Sequence, residues 1–354
     1  MRPKEYRIKE LLRKKGLDGA IVSSPENFHY VTGFGGHQHT VSRQPGFTLA
    51  VMRADDKVPT HLTTMDFEAA TFRIKAAGLN FVVDPYDTWV GLKTWDEIAH
   101  GAVVPDKTAM ESSMDKLVQF MKACDLADKK VGVELDYLPV PYYKSLTEKF
   151  PEAEFVDISD LFVYARSVKQ PDEIEMFRNL CRIADHGFTE VSKIAKIGVS
   201  ERELAQCFRE DVIKSGFCAP SSWSMFSTGP SSARLTLPGD GVVKDGDVVK
   251  FDAGVNAEFD FYTTDTSRAW IIGNGDPALL KLKDRLYEGQ RRMIAAAKPG
   301  LPINELYHTA YDYVKEMFPC YRRGHQGHSI SMGPATAEAP YINASETRPL
   351  EAGM

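Results

Sequence analysis

Asp252 and Asp265 lie on two apolar, β-branched runs, "VVKFDAG" and "TTDTSRAW", separated by the turn-forming residues Asn256 to Asp260. Read as an antiparallel hairpin centred on Glu258 and Phe259, the two runs put Asp252 directly beside Asp265 on one face. Adjacent carboxylates repel unless a proton or a cation lies between them. A divalent metal resolves the repulsion, because carboxylate oxygens suit hard and borderline cations. The plainer alternative has Asp252 capping a turn and Asp265 pairing with Arg268. Farther along, "RRGHQGHSISMG" supplies His325 and His328 in a Gly-flanked segment, where neutral imidazoles can complete such a site.

These residues must be held by a scaffold, and the pattern of the chain describes one. Residues 1 to about 160 alternate short β-like runs ("GAIVSS", "FTLAVMR", "NFVVDPY", "VGVEL", "EFVDIS") with helical patterns such as "MDFEAATFRIKAAG", which predicts an α/β domain. The character changes after "DLFVYARSVKQ", where Pro171, Asp172 and Glu173 form the start of a long helix. Ser200 and Glu203 stand in capping-box spacing for a second helix that stops at Gly216. Strands follow, then helices at about 276–298 and 302–318, giving an α+β second half with helices on one side of a largely antiparallel sheet. The domains are read as 1–166 and 167–354.

Composition narrows the function classes. A net charge of -6 offers no electrostatic footprint for nucleic acid. No run of about 18 apolar residues is present, and the basic, amphipathic start lacks the apolar stretch of a signal peptide, so no membrane span is expected and a cytoplasmic location is. The five cysteines form no CxxC pair and read as reduced thiols. Small-molecule or short-peptide ligands fit this balance best.

Taken in order, the pieces resemble the pita-bread metallohydrolases: creatinase, prolidase, aminopeptidase P and methionine aminopeptidase. "SVKQPDEIEMFRNLCRIAD" is similar to the helix leading into that family's catalytic domain, "FSTGPSSA" to its "SGPNSA" strand, and "KDGDVVKFDAG" with "DTSR" to its "GDLVLIDFG" and "SDITR" hairpin. "GHSIS" is similar to "GHGIG", and "RPLEAGM" to the "LEPGM" that precedes a glutamate-bearing strand. The resemblance spans the chain and is closest to the two-domain Xaa-Pro peptidase and creatinase branch. It implies a creatinase-like amino-terminal α/β domain, a pita-bread catalytic domain and a homodimer. It also implies two divalent ions (Mn, Co or Zn), for which Asp252, Asp265 and His328 would be three of five metal ligands. The other two would be glutamates on strands after "LEPGM", so the sequence is expected to be a fragment, ending at Met354 before them.

The departures from the pattern carry information of their own. The family's two aspartates are closer together than Asp252 and Asp265, but an even insertion keeps both on one face. Histidines that the family's peptidases use fall here near Thr236 and in "PATAEAP", and neither place holds one. Loss of a general acid–base group costs about 10²- to 10⁴-fold in rate. Arg234 offers a permanent charge for a substrate carboxylate, and His37 and His39, in a glycine-rich loop whose family counterpart often reaches the partner subunit's site, are candidate catalytic replacements. Arg268 is expected to orient a metal-ligating carboxylate. Phe261 and Tyr262 read as core, with Tyr262, like His325, also a candidate substrate contact. The expected function is metal-dependent hydrolysis of an amide or similar C–N bond, Xaa-Pro peptidase-like but divergent. The alternatives are a creatinase-like or lyase-like enzyme acting on a small zwitterionic metabolite, with or without metal, and a binding module that keeps the fold without the chemistry.

Overall fold

The computed structural model describes residues 4–103, 106–216, 218–258, 260–333 and 337–354. They divide into two compact units, Met1–Ala165 and Arg166–Met354.

The amino-terminal unit is built on a mixed sheet with the order β4-β3-β2-β1-β5-β6. Its strands are β1 Gly19–Val22, β2 Leu49–Arg53, β3 Thr60–Thr63, β4 Phe81–Val83, β5 Lys130–Val133 and β6 Glu154–Asp157. β1 and β2 are buried along their whole length, as expected of central strands covered on both faces. On one face Ile21, Leu49 and Val51 pack with Leu117, Phe120 and Met121 of the helix Ala109–Ala123. The sequence pattern anticipates five of the six strands. It passes over β3, whose "THLT" has no apolar alternation and is recruited by pairing with β2.

The carboxy-terminal unit opens with the helix Pro171–Ile194, Pro at its first turn, and continues with Glu201–Lys214, capped by Ser200 and Glu203 in the expected box. Its strands form separate small antiparallel groups: β7 Cys218–Pro220 with β10 Val255–Ala257, β8 Met225–Thr228 with β9 Val248–Ala253 and β11 Thr266–Ile271, and β12 His325–Ser329 with β13 Glu338–Asn343. The helices Pro277–Ala296 and Ile303–Met317 fall where the periodicity predicts them.

Alternation along β9 decides which side chains are core and which face outward. Val249, Phe251 and Ala253 are buried, while Lys250 and Asp252 take the other face. Beneath β9, Phe188, Phe208, Phe226, Phe251 and Trp270 pack with consecutive ring centroids 4.5–5.4 Å apart from Phe188–Phe208 through Phe251–Trp270. This aromatic column fixes the strand against the helices and thereby the carboxylate on its opposite side.

Candidate active site

The register of β9 with β11 pairs Asp252 with Ser267 and Ala253 with Thr266, so Asp252 and Asp265 are diagonal neighbours and not directly opposite. The expected register is off by two residues. An even slip preserves the face, and the two carboxylates remain close enough to interact. Asp252 is pushed above the usual carboxylate range, first by burial and then by the charge of Asp265, with Lys250, Arg323 and His328 acting in the other direction. Gly254 permits the close approach of the chains here, because a Cβ at this position would collide with the carbonyl of Thr264.

His328 joins the pair from β12. Its Nε2 lies 3.1 Å from Asp265 Oδ2, and both side chains are largely buried. Its Nδ1 lies 3.0 Å from the Ser329 carbonyl, so a proton on Nδ1 has an acceptor. Asp265 is the main reason that His328 is held above the ordinary histidine range. A neutral ring with its proton on Nδ1 presents the Nε2 lone pair, which is the form that ligates metals. Two carboxylates and this imidazole therefore fit a divalent cation in donor chemistry. As the side chains stand, no group of three or more His, Cys, Asp or Glu among the described residues converges as a metal site.

His325 stands beside His328, ring centroids 5.9 Å apart, and 5.6 Å from the ring of Tyr341. Burial and the neighbouring Arg323 push it below the ordinary range, so it is a neutral ring at the edge of the site. Lys250 shares the Asp252 face, and its Nζ donates to the Arg234 carbonyl at 3.0 Å. The Arg234 side chain is exposed.

Four expectations are corrected by the structure. Arg268 does not orient a ligand carboxylate: it pairs with Phe251 in the register, so alternation turns it to the helix side of the sheet. There its Nη2 donates to Asp185 at 2.7 Å and its guanidinium lies over the Phe188 ring. Tyr262 is fully buried and its hydroxyl donates to Glu173 at 2.9 Å, which makes it a core anchor and not a substrate contact. The segment bearing His37 and His39 is a short helix, His37–Val41, and not a loop. His39 is enclosed within the amino-terminal unit, with Nε2 2.8 Å from the Ser23 carbonyl and its ring edge-on to Phe28, so it cannot touch a substrate. His37 is exposed. Of "PATAEAP", Pro334, Ala335 and Thr336 lie outside the described residues.

Sequence reasoning passed over four contributors. Lys250 was legible from period-two alternation with Asp252, whereas Arg323 and Tyr341 arrive through the tertiary fold alone. Glu201 is the third kind: buried at the start of its helix, it accepts the Thr228 and Gly239 N–H groups at 2.9 and 2.8 Å and the Ser231 hydroxyl. One carboxylate thus holds both ends of the segment that carries Arg234.

Comparison with known proteins gives concordant matches. The model of metallopeptidase family M24 matches residues 175–354, and that of the creatinase/prolidase N-terminal domain matches residues 6–168. An uncharacterized peptidase of Bacillus subtilis, YqhT, is 25% identical over 353 residues, covering 98% of this chain and 87% of its own. A Xaa-Pro dipeptidase of Pyrococcus furiosus is 28% identical over 255 residues, covering 70% and 71%. Among solved structures, a Xaa-Pro dipeptidase from Bacillus anthracis superposes with a TM-score of 0.77 at 22% identity, covering 98% of this chain and 86% of that one. A prolidase from Thermococcus sibiricus gives 0.78 at 22% identity, covering 100% and 88%. These likenesses show the fold: an α/β amino-terminal domain followed by an α+β pita-bread domain.

Proposed function

The chain belongs to metallopeptidase family M24 and is a hydrolytic enzyme of that family's prolidase type, and from this premise we propose that it hydrolyses an amide bond in a short peptide, as a homodimer, with the help of divalent metal. The observation that carries this reading is the grouping of Asp252, Asp265 and His328 on one side of the β9–β11 ladder, with Asp252 held above its usual range first by burial and then by the charge of Asp265.

In this reading Asp252, Asp265 and His328 would hold metal, which when bound would polarise a scissile carbonyl and make water nucleophilic at neutral pH. The chain's own residues do the rest. The Ser329 carbonyl keeps the His328 proton on Nδ1, leaving Nε2 as a ligand. Arg234 binds a substrate carboxylate, His325 borders the reacting group, and exposed His37 is the remaining candidate for a protonating group contributed from a partner subunit. Support for a small zwitterionic substrate in place of a peptide comes from the cations around the carboxylates, Lys250 and Arg323, which Asp252 senses.

The deciding experiment is hydrolysis of a panel of Xaa-Pro dipeptides, other dipeptides and small zwitterionic amides, with Mn, Co or Zn added and after chelation. Metal-dependent cleavage of at least one dipeptide, lost in Asp265→Asn, is expected. Cleavage unaffected by chelation, or confined to non-peptide amides, would reject the metallopeptidase reading.

A further inference from the structure

Two cations of the carboxy-terminal unit stand beside the carboxylate pair without pairing to it. Lys250 shares the face of β9 that carries Asp252, yet its Nζ spends one donor on the Arg234 carbonyl at 3.0 Å and makes no ion pair among the described residues. Arg234 likewise makes no ion pair among the described residues, and its side chain is exposed. Its backbone is fixed, because Glu201 holds Thr228, Ser231 and Gly239 on either side of it and Lys250 ties down its carbonyl. Ser227 lies directly opposite Lys250 in the β8–β9 register and therefore takes the same face. It is fully buried, and its hydroxyl has no hydrogen-bond partner among the described residues. A buried hydroxyl left unpaired is unfavourable, so such a donor opposite an unpaired ammonium marks a place for an anionic acceptor.

Two unpaired cations joined by one contact match two carboxylates on one ligand. A peptide that ends in an acidic residue carries such a pair, its α-carboxylate and its side chain. Same-face neighbours on a strand, such as Asp252 and Lys250, are about 7 Å apart. With a scissile bond beside Asp252, the α-carboxylate of the leaving residue is three bonds away and extends only about 4 Å. A glutamate side-chain carboxylate is five bonds away and extends about 6 Å, with aspartate about 1 Å shorter. A further acid near Asp252 and Asp265 needs cations of its own, and Arg323, which Asp252 senses along with Lys250, adds a third.

We propose that Lys250 and Ser227 form an anion subsite for the side-chain carboxylate of the substrate's leaving residue, with Arg234 on its α-carboxylate, so that the preferred substrate is a dipeptide ending in glutamate. The inference rests on the peptide hydrolysis proposed above and names the class of peptide.

Binding is read without turnover by titration calorimetry of the protein with added Mn, using glutarate and butyrate as probes. Glutarate is expected to bind about 10-fold more tightly than butyrate, an excess lost in Lys250→Leu and kept in Lys250→Arg. Turnover is compared on Ala-Glu, Ala-Asp, Ala-Gln and Ala-Pro. Ala-Glu is expected to have the highest kcat/KM, with Ala-Asp second. The ratio of Ala-Glu to Ala-Gln should drop about 10- to 100-fold in Lys250→Leu, through KM, and by less in Ser227→Ala. If Lys250→Leu misfolds, Lys250→Gln replaces it, since the amide still donates to the Arg234 carbonyl. A Lys250 that only ties down the segment would lower both substrates alike and leave the ratio unchanged, which overturns the proposal. Glutarate binding no tighter than butyrate also overturns it. Cleavage of Ala-Gln or Ala-Pro as fast as Ala-Glu overturns the subsite and leaves peptide hydrolysis standing, whereas cleavage of no dipeptide at all overturns both.

Discussion

His328 bridges two acceptors: its Nε2 lies 3.1 Å from Asp265 Oδ2 and its Nδ1 3.0 Å from the Ser329 carbonyl, so that a residue of β12 is aimed at the carboxylates beside β9 and β11. The arrangement suits a protonated ring satisfied on both sides and, after loss of the Nε2 proton, a metal ligand.

Asp252→Asn tests the metal assignment. The substitution removes a charge that the fold holds at a disadvantage, since burial and Asp265 both disfavour it. Thermal stability should therefore be unchanged or slightly raised, while affinity for added Mn, Co or Zn falls by more than about 100-fold, taking even loss of outer-shell partners as costing 10- to 100-fold. Titration calorimetry with each metal and elemental analysis of the dialysed protein read both. Equal metal content in variant and wild type removes Asp252 from the ligand set.

Arg234→Ala should raise KM by about 10- to 100-fold for substrates with a free carboxylate, with little change in kcat, if the contact is the same in ground and transition states. Amidated analogues should show no such difference. Because Arg234 is exposed, the melting temperature should not move. An equal loss on amidated and free substrates would place Arg234 elsewhere in the mechanism.

His39 gives a pH dependence with a definite sign. Burial lowers its pKa from 6.5 to about 4, so the folded protein prefers the neutral ring. The unfolded chain binds the proton first as pH falls; the contribution to stability is therefore complete above about 6.5 and is lost between there and about 4. Its size is on the order of 3 kcal/mol. Urea unfolding at pH 4.5 and 7.5 should show a smaller difference in His39→Gln than in the wild type. Equal differences in the two proteins would mean that His39 does not titrate in this way.

Glu201→Ala should destabilise the carboxy-terminal unit by roughly 2–5 kcal/mol, since the Thr228 and Gly239 N–H groups and the Ser231 hydroxyl lose their acceptor together. Glu201→Gln keeps one acceptor oxygen and should lose about half as much. Hydrogen exchange should rise between residues 228 and 241 before it rises in the Glu201–Lys214 helix. Uniform exchange across the unit would count against a local clamp.

The parts of this protein that were legible in its sequence are those governed by local rules. Pro171, the Ser200–Glu203 box and period-two alternation in β9 act over a few residues, so they define elements whatever surrounds them. The same alternation places Asp252 and Asp265 on one face under either register, which is why the carboxylate pair survived a two-residue error in the hairpin. Orientation and burial are different in kind. On sequence, Arg268 belongs with the carboxylates because it is near Asp265, whereas the strand turns it to Asp185. On sequence, His39 is a catalytic candidate because its loop resembles one that in the family reaches the partner subunit's site, whereas tertiary packing encloses it against Phe28 and Ser23. Glu201, Arg323 and Tyr341 gave no sequence signal, because their roles depend on segments distant along the chain. Sequence alone determined which donors exist and which face of each element carries them; only the tertiary structure decided which of those faces meet, because side-chain proximity is set by packing between elements and not by spacing within one.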